Sequence, residues 1–161
     1  MELTHRHLEK VLDEFCQEFQ ATIRRLVEEE EGLATGKMYD SFECKYIRDT
    51  LTGDYTIYLY HTDYFKYYDE GTQPHFPPIQ PLKEWVDAKQ ARGLLPEIPG
   101  LPYMVQWKIA REGTEGREVF ERAYDIVVPK YADRWAEPIV EDFKENYLNG
   151  ADFNEWGLLN T

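Results

Sequence analysis

The first thirty residues alternate apolar and charged positions with the period of an α-helix. Between Thr4 and Glu31, apolar side chains recur every three or four residues, and charged or amide side chains fill the positions between them. The apolar positions are Leu8, Val11, Leu12, Phe15, Phe19, Ile23, Leu26 and Val27. The pattern predicts one long amphipathic helix with its apolar side packed on the rest of the protein.

The pattern then changes to the two-residue period of β-strands. Residues 38–47 alternate, with Phe42, Cys44 and Tyr46 on one side, and residues 55–62 alternate in the same way. The turn-forming residues between the two stretches predict an antiparallel hairpin. A hairpin alone is only marginally stable in water, so we expect this chain's helices or strands of a neighbouring chain to cover one face.

Glycine and proline divide the middle of the chain. The aromatic-rich stretch 64–71 predicts a short helix closed by a left-handed glycine. Four prolines within residues 74–81 exclude both helix and sheet ladder and predict an extended loop. Two short helices are expected to follow, from Pro81 to about Arg92 and over residues 103–112, each ended by a glycine.

Helical spacing returns from about Glu118 to Phe143, where Pro129 and Pro138 predict a kinked helix or two helices. The elements together predict an α+β fold. In that fold a small antiparallel sheet packs against a long N-terminal helix and a kinked C-terminal helix, with short helices between. We expect residues 1–148 to form a single domain and residues 149–161 a loosely ordered tail.

The charge is strongly acidic and lies at the two ends of the sequence. The formal net charge is -13, with 9 acids and 4 bases in residues 1–31, 12 and 5 in residues 112–161, and 10 and 9 between them. Since affinity for a phosphate backbone comes mostly from Lys and Arg, no specific nucleic-acid binding is expected. The acidic helices are interpreted as solvated faces, with an acidic channel wall for passing DNA as the alternative.

The sequence offers no recognisable catalytic constellation. The four histidines lie in no nucleophile or metal motif, and no phosphate-binding glycine loop or calcium loop is present. Cys16 and Cys44 are far apart in sequence and are interpreted as buried thiols of a reducing compartment, not as a disulfide or zinc site. We therefore predict no enzyme activity, metal or cofactor. The N-terminus lacks a signal-peptide pattern and no apolar run is long enough for a membrane span, so no membrane association is expected.

Aromatic side chains are unusually frequent, at 15% of the residues with twelve tyrosines. Tyr and Trp are favoured where a ring is buried against a partner while its polar end stays hydrogen-bonded. Core packing and a protein interface explain the excess equally well. A stacking platform for single strands is disfavoured by the acidity.

Several short motifs follow one another over about residues 34–125. They are Gly36-Lys37-Met38 with Ser41 opening a strand, Tyr67-Tyr68-Asp69-Glu70-Gly71-Thr72, Pro77-Pro78-Ile79, Leu82-x-x-Trp85-Val86 and Lys108-Ile109-Ala110-Arg111-Glu112-Gly113-Thr114. The order of these motifs resembles that of the tail-completion or head-tail joining proteins of long-tailed bacteriophages. Val119-Phe120 and Ala123 stand where members often have Pro-Phe and Ala, and the acidic C-terminal extension departs from shorter members.

The resemblance implies a non-catalytic virion subunit, made in the bacterial cytoplasm, that forms a ring at the junction of capsid and tail. Its partners would be copies of itself and neighbouring neck or tail proteins, with DNA passing through the ring. The repeated acid-Gly-Thr sequences at Gly71 and Gly113 are interpreted as two helix ends. The candidate interface residues are Tyr64, Phe65, Tyr67, Tyr68, Gly71, Thr72, Pro74, Phe76, Pro77, Pro78 and Trp85. The alternatives are an acidic protein-binding adaptor module of phage or prophage origin and an enzyme with an unfamiliar site.

Overall fold

The computed structural model describes residues 5–30 and 36–148, without the side chains of residues 147 and 148. The fold is α+β, as predicted. Its helices are α1 (Arg6–Glu29), α2 (Lys37–Ser41), α3 (Asp63–Glu70), α4 (Ile79–Ala91), α5 (Leu101–Glu112), α6 (Val119–Tyr131) and α7 (Ala136–Phe143), followed by a π-helical turn (Lys144–Leu148). The strands are β1 (Glu43–Arg48) and β2 (Tyr55–Tyr60), which pair with each other, and the two-residue strands β3 (Gly71–Thr72) and β4 (Thr114–Glu115), which form a second pair.

The described residues fall into two compact units. The first unit contains residues 5–19, 44–58 and 124–148, and the second contains residues 20–30, 36–43 and 59–123. Helices α1 and α6 each contribute to both. The prediction of one domain over residues 1–148 stays a prediction, and the predicted tail, residues 149–161, lies outside the described residues.

Helix α1 confirms the amphipathic pattern, while residues 4 and 31, where the prediction began and ended, lie outside the described residues. Six of its eight predicted apolar positions are buried, and Leu8 and Val11 are half-buried. In the first unit, Phe15 packs edge-on against Tyr131 at a centroid distance of 5.3 Å. The two oxygens of Glu18 accept hydrogen bonds from Lys130 and from the Tyr131 hydroxyl. Helix α1 is therefore stabilised both by apolar packing and by hydrogen bonds from its polar side chains.

The hairpin forms, but both strands are shorter than predicted, and the second ends at Tyr60 instead of residue 62. Residues 38–41, the start of the stretch 38–47 that predicts the first strand, belong to α2, because the Ser41 hydroxyl donates to the Met38 carbonyl (2.6 Å) and Met38 turns into the core. From Glu43 onward the predicted alternation holds, with Cys44 buried and Tyr46 half-buried. The turn is closed by Asp49 and Asp54, whose backbones are hydrogen-bonded at 2.8 Å, which makes the pair antiparallel.

The helix starts differ by two residues from those that proline and glycine predict. Residues 73–78 have no regular structure, but α4 begins at Ile79, so the predicted extended loop over residues 74–81 is wrong for its last three residues. Pro81 fits in the first turn of α4, where its missing N–H removes no helical hydrogen bond. α5 also begins two residues earlier than predicted, and the C-terminal helical region is two helices with a break at residues 132–135. Pro129 lies in the last turn of α6, and Pro138 lies in the first turn of α7, where its missing N–H removes no helical hydrogen bond. Within the described part of the chain, each helix is too short or too polar to span a membrane.

Candidate interaction surface

Two short segments of the second unit, 42 positions apart in the sequence, pair with each other. Gly71–Thr72 forms an antiparallel ladder with Thr114–Glu115, in the register Gly71 to Glu115 and Thr72 to Thr114. The two threonine hydroxyls lie 2.9 Å apart and are hydrogen-bonded. We call residues 71–72 and 113–116 the Gly-Thr clasp. It joins the end of α3 to the end of α5, so the two acid-Gly-Thr sequences contact each other.

The clasp requires glycine because its two backbones approach closely. Gly71 and Gly113 have φ of 78° and 74° with extended ψ, a conformation that is nearly confined to glycine. A Cβ on Gly71 would lie 2.7 Å from the Gly116 nitrogen, and one on Gly116 would lie 2.5 Å from the Asp69 oxygen. Both Gly71 and Gly113 end their helices, as predicted, but they combine a positive φ with an extended ψ and do not adopt the left-handed helical conformation. The prediction of two helix ends is thus confirmed, with that correction to the conformation at Gly71.

The residues before the clasp position the next helix. The backbone N–H groups of Arg117 and Glu118 donate to the carbonyls of Tyr68 and Asp69 at 3.1 and 3.0 Å. The Asp69 carboxylate accepts from the N–H of Phe120 at 2.9 Å, in the first turn of α6, where a negative charge is favourable. The Tyr-Asp-Glu-Gly-Thr segment therefore has a structural role inside the unit.

The proline loop is fixed to α5 by a buried side chain. Gln106 is 7% exposed, and its amide nitrogen donates to the Pro77 carbonyl at 2.8 Å. The N–H of His75 points to the Ile109 carbonyl at 3.4 Å. These contacts hold the Phe76 ring edge-on against Trp107, with 5.3 Å between the ring centroids. A loop that carries three prolines, Pro74, Pro77 and Pro78, and is docked in this way has little conformational freedom left to lose on binding.

Helix α5 turns its largest apolar side chains to the surface. Gln106 is buried, whereas Trp107 is 67% exposed and Met104 and Tyr103 are also exposed. Together with Phe76, which is 59% exposed, they form what we call the aromatic patch: Phe76, Tyr103, Met104 and Trp107. Contiguous exposed apolar side chains of this kind are uncommon on monomers and are typical of binding surfaces.

Basic side chains border the aromatic patch. The Lys83 ammonium lies 5.3 Å from the centre of the Tyr103 ring, within the range of a cation-π contact. A shallow depression of about 410 Å³ on α5 is lined by Met104, Trp107, Lys108, Ala110 and Arg111. The patch is thus apolar at its centre and cationic at its edge, on a chain whose net charge is -13. This arrangement suits a partner surface with apolar groups and a few carboxylates.

The structure separates the predicted interface residues into three groups. Tyr64, Tyr67, Pro74, Phe76 and Pro78 are exposed, and Tyr68, Gly71, Thr72, Pro77 and Trp85 are half-buried. Phe65 is only 3% exposed and packs in the core, so it offers no surface to a partner. Burial raises the pKa of Tyr68 to about 12, and its hydroxyl has no hydrogen-bond partner among the described residues. Gly71 and Thr72 belong to the clasp, which leaves the exposed aromatic and proline residues as interface candidates.

Sequence reasoning missed Tyr103, Met104 and Trp107. Their spacing of one, three and four residues is the same as that of a buried helix face, so periodicity indicates only that they share a side. Gln106 was the one signal in the sequence for the buried side of α5, because a polar side chain needs a hydrogen-bond partner if it is buried. Only the position of the proline loop in the structure shows which side of α5 is covered.

A second group of polar side chains lies in the first unit, at the start of α1. The ligand atoms of His7, Asp142 and Glu145 all lie within 4.8 Å of one another. Asp142 is buried, and its two oxygens accept the backbone N–H groups of His7 and Leu8 at 3.0 and 2.9 Å. Glu145 accepts from His7 and from the Arg6 guanidinium, and these hydrogen bonds, the one from His7 first, lower the pKa of Glu145. The positive end of the helix and the Arg6 charge both disfavour a cation, so the group is a helix cap.

We expect Asp142→Ala to destabilise the protein by about 1 to 3 kcal/mol, because two N–H groups of the first turn lose their acceptors. The matched change Asp142→Asn keeps one acceptor oxygen and should cost less. Urea unfolding followed by circular dichroism measures both. A metal site would behave differently: Zn²⁺ would raise the melting temperature of the unchanged protein and would not raise that of either variant. We expect no such zinc-dependent shift.

The two histidines of the second unit are bound to the backbone. His61 Nδ1 lies 2.8 Å from the Thr62 carbonyl and its ring lies 5.0 Å from that of Phe65. His75 Nδ1 lies 2.9 Å from the Gln73 carbonyl. In both residues Nδ1 is the hydrogen-bonded donor, an arrangement that orders a loop.

Comparisons of the chain with protein-family models, curated proteins and solved structures find no match in any of the three. The resemblance to phage neck proteins therefore rests on the order of residues in this sequence alone.

Proposed function

We propose that the chain is a non-catalytic structural subunit of a tailed bacteriophage, which assembles with copies of itself into a ring at the head-tail junction or the end of the tail. The single observation that carries the proposal is the aromatic patch, held in place by the Gln106–Pro77 hydrogen bond. A binding surface that is rigid before contact suits repeated assembly of identical subunits. Ring closure uses two different faces of each subunit, so the patch would contact another part of the next copy.

The position of the patch in the sequence supports self-association. Residues 32–111 carry 10 acids and 9 bases, so this stretch is nearly neutral while both ends are acidic. Two chains of net charge -13 repel each other, and the repulsion is weakest where nearly neutral surfaces meet. Lys83, Lys108 and Arg111 beside the patch would also attract acidic side chains of the neighbouring copy.

The motifs behind the resemblance also have a place in this proposal. Gly71 and Gly113 belong to the clasp, and Asp69 positions α6. Pro77 accepts the hydrogen bond that orders the aromatic patch. The residues that carry the resemblance would thus maintain the fold, and the exposed rings of the patch would contact partners. The adaptor alternative needs the same surface but a different partner.

Trp107→Ala tests the proposal. Its indole is the most exposed ring of the patch, and loss of such an anchor typically weakens association by about 2 kcal/mol or more, which is about 30-fold. We expect native mass spectrometry to show one ring stoichiometry for the unchanged protein and mainly monomers for Trp107→Ala. The free energy of unfolding should fall by at most about 1.5 kcal/mol, the range for loss of one aromatic pair, since the exposed Trp107 ring contacts the Phe76 ring.

Tyr124→Ala is the matched control, because Tyr124 is a similarly exposed aromatic residue of the first unit. It should assemble like the unchanged protein. A chain that stays monomeric at high concentration and does not bind purified phage tails or capsids would overturn the proposal. A monomer that binds one unrelated protein through Trp107 would favour the adaptor function instead.

A further inference from the structure

The only two cysteines of the chain, Cys16 and Cys44, meet in the first unit. They are 28 positions apart, on α1 and β1, and no local pattern of residues pairs them. Both are free thiols, both are buried, and their side chains are hydrogen-bonded to each other. Two thiols in direct contact differ chemically from two separate buried cysteines, because each is a potential reaction partner of the other.

The contacts on either side hold the two thiols in register. On α1, residues 9, 13 and 16 share one face. Glu9 accepts a hydrogen bond from the Tyr55 hydroxyl at 3.1 Å, and Asp13 is hydrogen-bonded to Tyr46. Tyr46 and Cys44 are two residues apart on β1 and so point to the same side of the hairpin. The position of Cys44 opposite Cys16 is thus set by a series of contacts along one helix face.

We propose that Cys16 and Cys44 are an intramolecular cross-linking site, whose thiols form a disulfide when the folded protein meets a small-molecule disulfide. In the first step the Cys16 thiolate attacks one sulfur of the oxidant, which gives a mixed disulfide and releases one thiol. In the second step Cys44 loses its proton and attacks the Cys16 sulfur, which releases the second thiol. The protein loses two hydrogens and the oxidant is reduced to two thiols.

The polarity of the thiol pair suits this order of steps. The hydrogen bond from Cys44 lowers the pKa of Cys16, and the same hydrogen bond, together with burial, raises the pKa of Cys44. The thiolate is the attacking species in exchange, so the lowered pKa of Cys16 favours this order, in which Cys16 attacks and Cys44 resolves the mixed disulfide. Because both thiols are buried, the oxidant enters only when the hairpin opens locally, and the reaction is slow.

The cross-link would join α1 covalently to the hairpin. The proposal does not depend on the proposed function, but that function supplies the conditions for it. A virion subunit is made in a reducing cytoplasm and leaves the cell in a released particle, where thiols oxidise. The protein would fold with free thiols and gain the cross-link afterwards.

The test uses the full chain, incubated with oxidised glutathione and then unfolded and alkylated with iodoacetamide. We expect a monomer whose mass is about 2 Da lower and which takes up no label. Its melting temperature should rise by about 5 to 10 °C relative to the reduced protein. Cys16→Ser and Cys44→Ser should show neither change. Two labelled thiols, a disulfide-linked dimer or a lasting glutathione adduct on the unchanged protein would each overturn the proposal.

A glutathione titration removes the effect of slow access, because it measures an equilibrium. The effective concentration of one thiol toward the other should be about 100-fold higher in the folded protein than in 8 M urea. Equal effective concentrations in the two conditions would show that folding does not bring the thiols together, and would overturn the proposal whatever the rate of oxidation.

Discussion

Gly113→Ala is expected to destabilise the protein by more than about 4 kcal/mol, the largest effect expected for a methyl group added to any glycine that the structure describes. A Cβ on Gly113 would lie 2.9 Å from the Gln73 carbonyl carbon and closer still to the Thr72 carbonyl oxygen. Both atoms belong to the backbone of the opposite side of the clasp, so they cannot move aside without breaking the ladder. The positive φ adds about 1 to 2 kcal/mol of strain. Equilibrium unfolding in urea measures the loss.

Gly93→Ala separates the two causes. Gly93 also has a positive φ, of 70°, but a Cβ there meets no atom within 4 Å. The control should therefore cost only the conformational strain, about 1 kcal/mol. Similar losses for the two variants would contradict the close approach in the clasp and would leave only the preference of glycine for positive φ.

Phe42→Ala is expected to cost about 3 to 5 kcal/mol. Its side chain is fully buried in the second unit, and its ring meets the edge of Phe65 at a centroid distance of 4.8 Å. The change would leave a cavity but would not remove the hydrogen bond from Arg24, which goes to the Phe42 backbone carbonyl at 2.9 Å. The loss should appear in the denaturant midpoint, with an unchanged slope of the transition.

Phe76→Ala is the matched change at the surface of the same unit. It removes the same ring from an exposed position whose one ring contact is with Trp107. We expect a loss of at most about 1.5 kcal/mol, which is the range for one aromatic pair. If Phe42→Ala and Phe76→Ala had equal effects, the assignment of Phe42 to the core would be wrong.

The elements with a clear period were the predictable part of the fold. α1 has apolar residues on one side and charges on the other, and glycine and proline limit α4, α5 and α7, so local preference and tertiary packing agree there. Residues 38–41 begin the stretch whose alternation predicts a strand, but they lie in α2, since the Ser41 hydroxyl and the burial of Met38 decide the conformation. Alternation over four residues is too short to exclude that outcome.

The candidate surface was only partly predictable, because helical spacing does not show which side of a helix faces solvent. The proline loop could be recognised from its composition, and Phe76 within it, named as a candidate, is exposed. The rings of α5 could not be assigned to the surface, because their helical spacing is equally compatible with the core. The meeting of Cys16 and Cys44 depends on how α1 packs against β1, a long-range contact that neither local pattern contains.

The clasp has a consequence for how this protein can change in length. Since residues 72 and 114 are paired, the forty-one residues between them form a closed segment whose two ends are held together by the clasp. Its far end is the loop between α4 and α5, at residues 92–100. Closure entropy grows slowly, by about 0.6 kcal/mol for each doubling of a flexible loop. Insertions in the loop at residues 92–100 should therefore be tolerated as long as the ladder keeps its register. Evolution can lengthen this segment without changing the residues of the clasp.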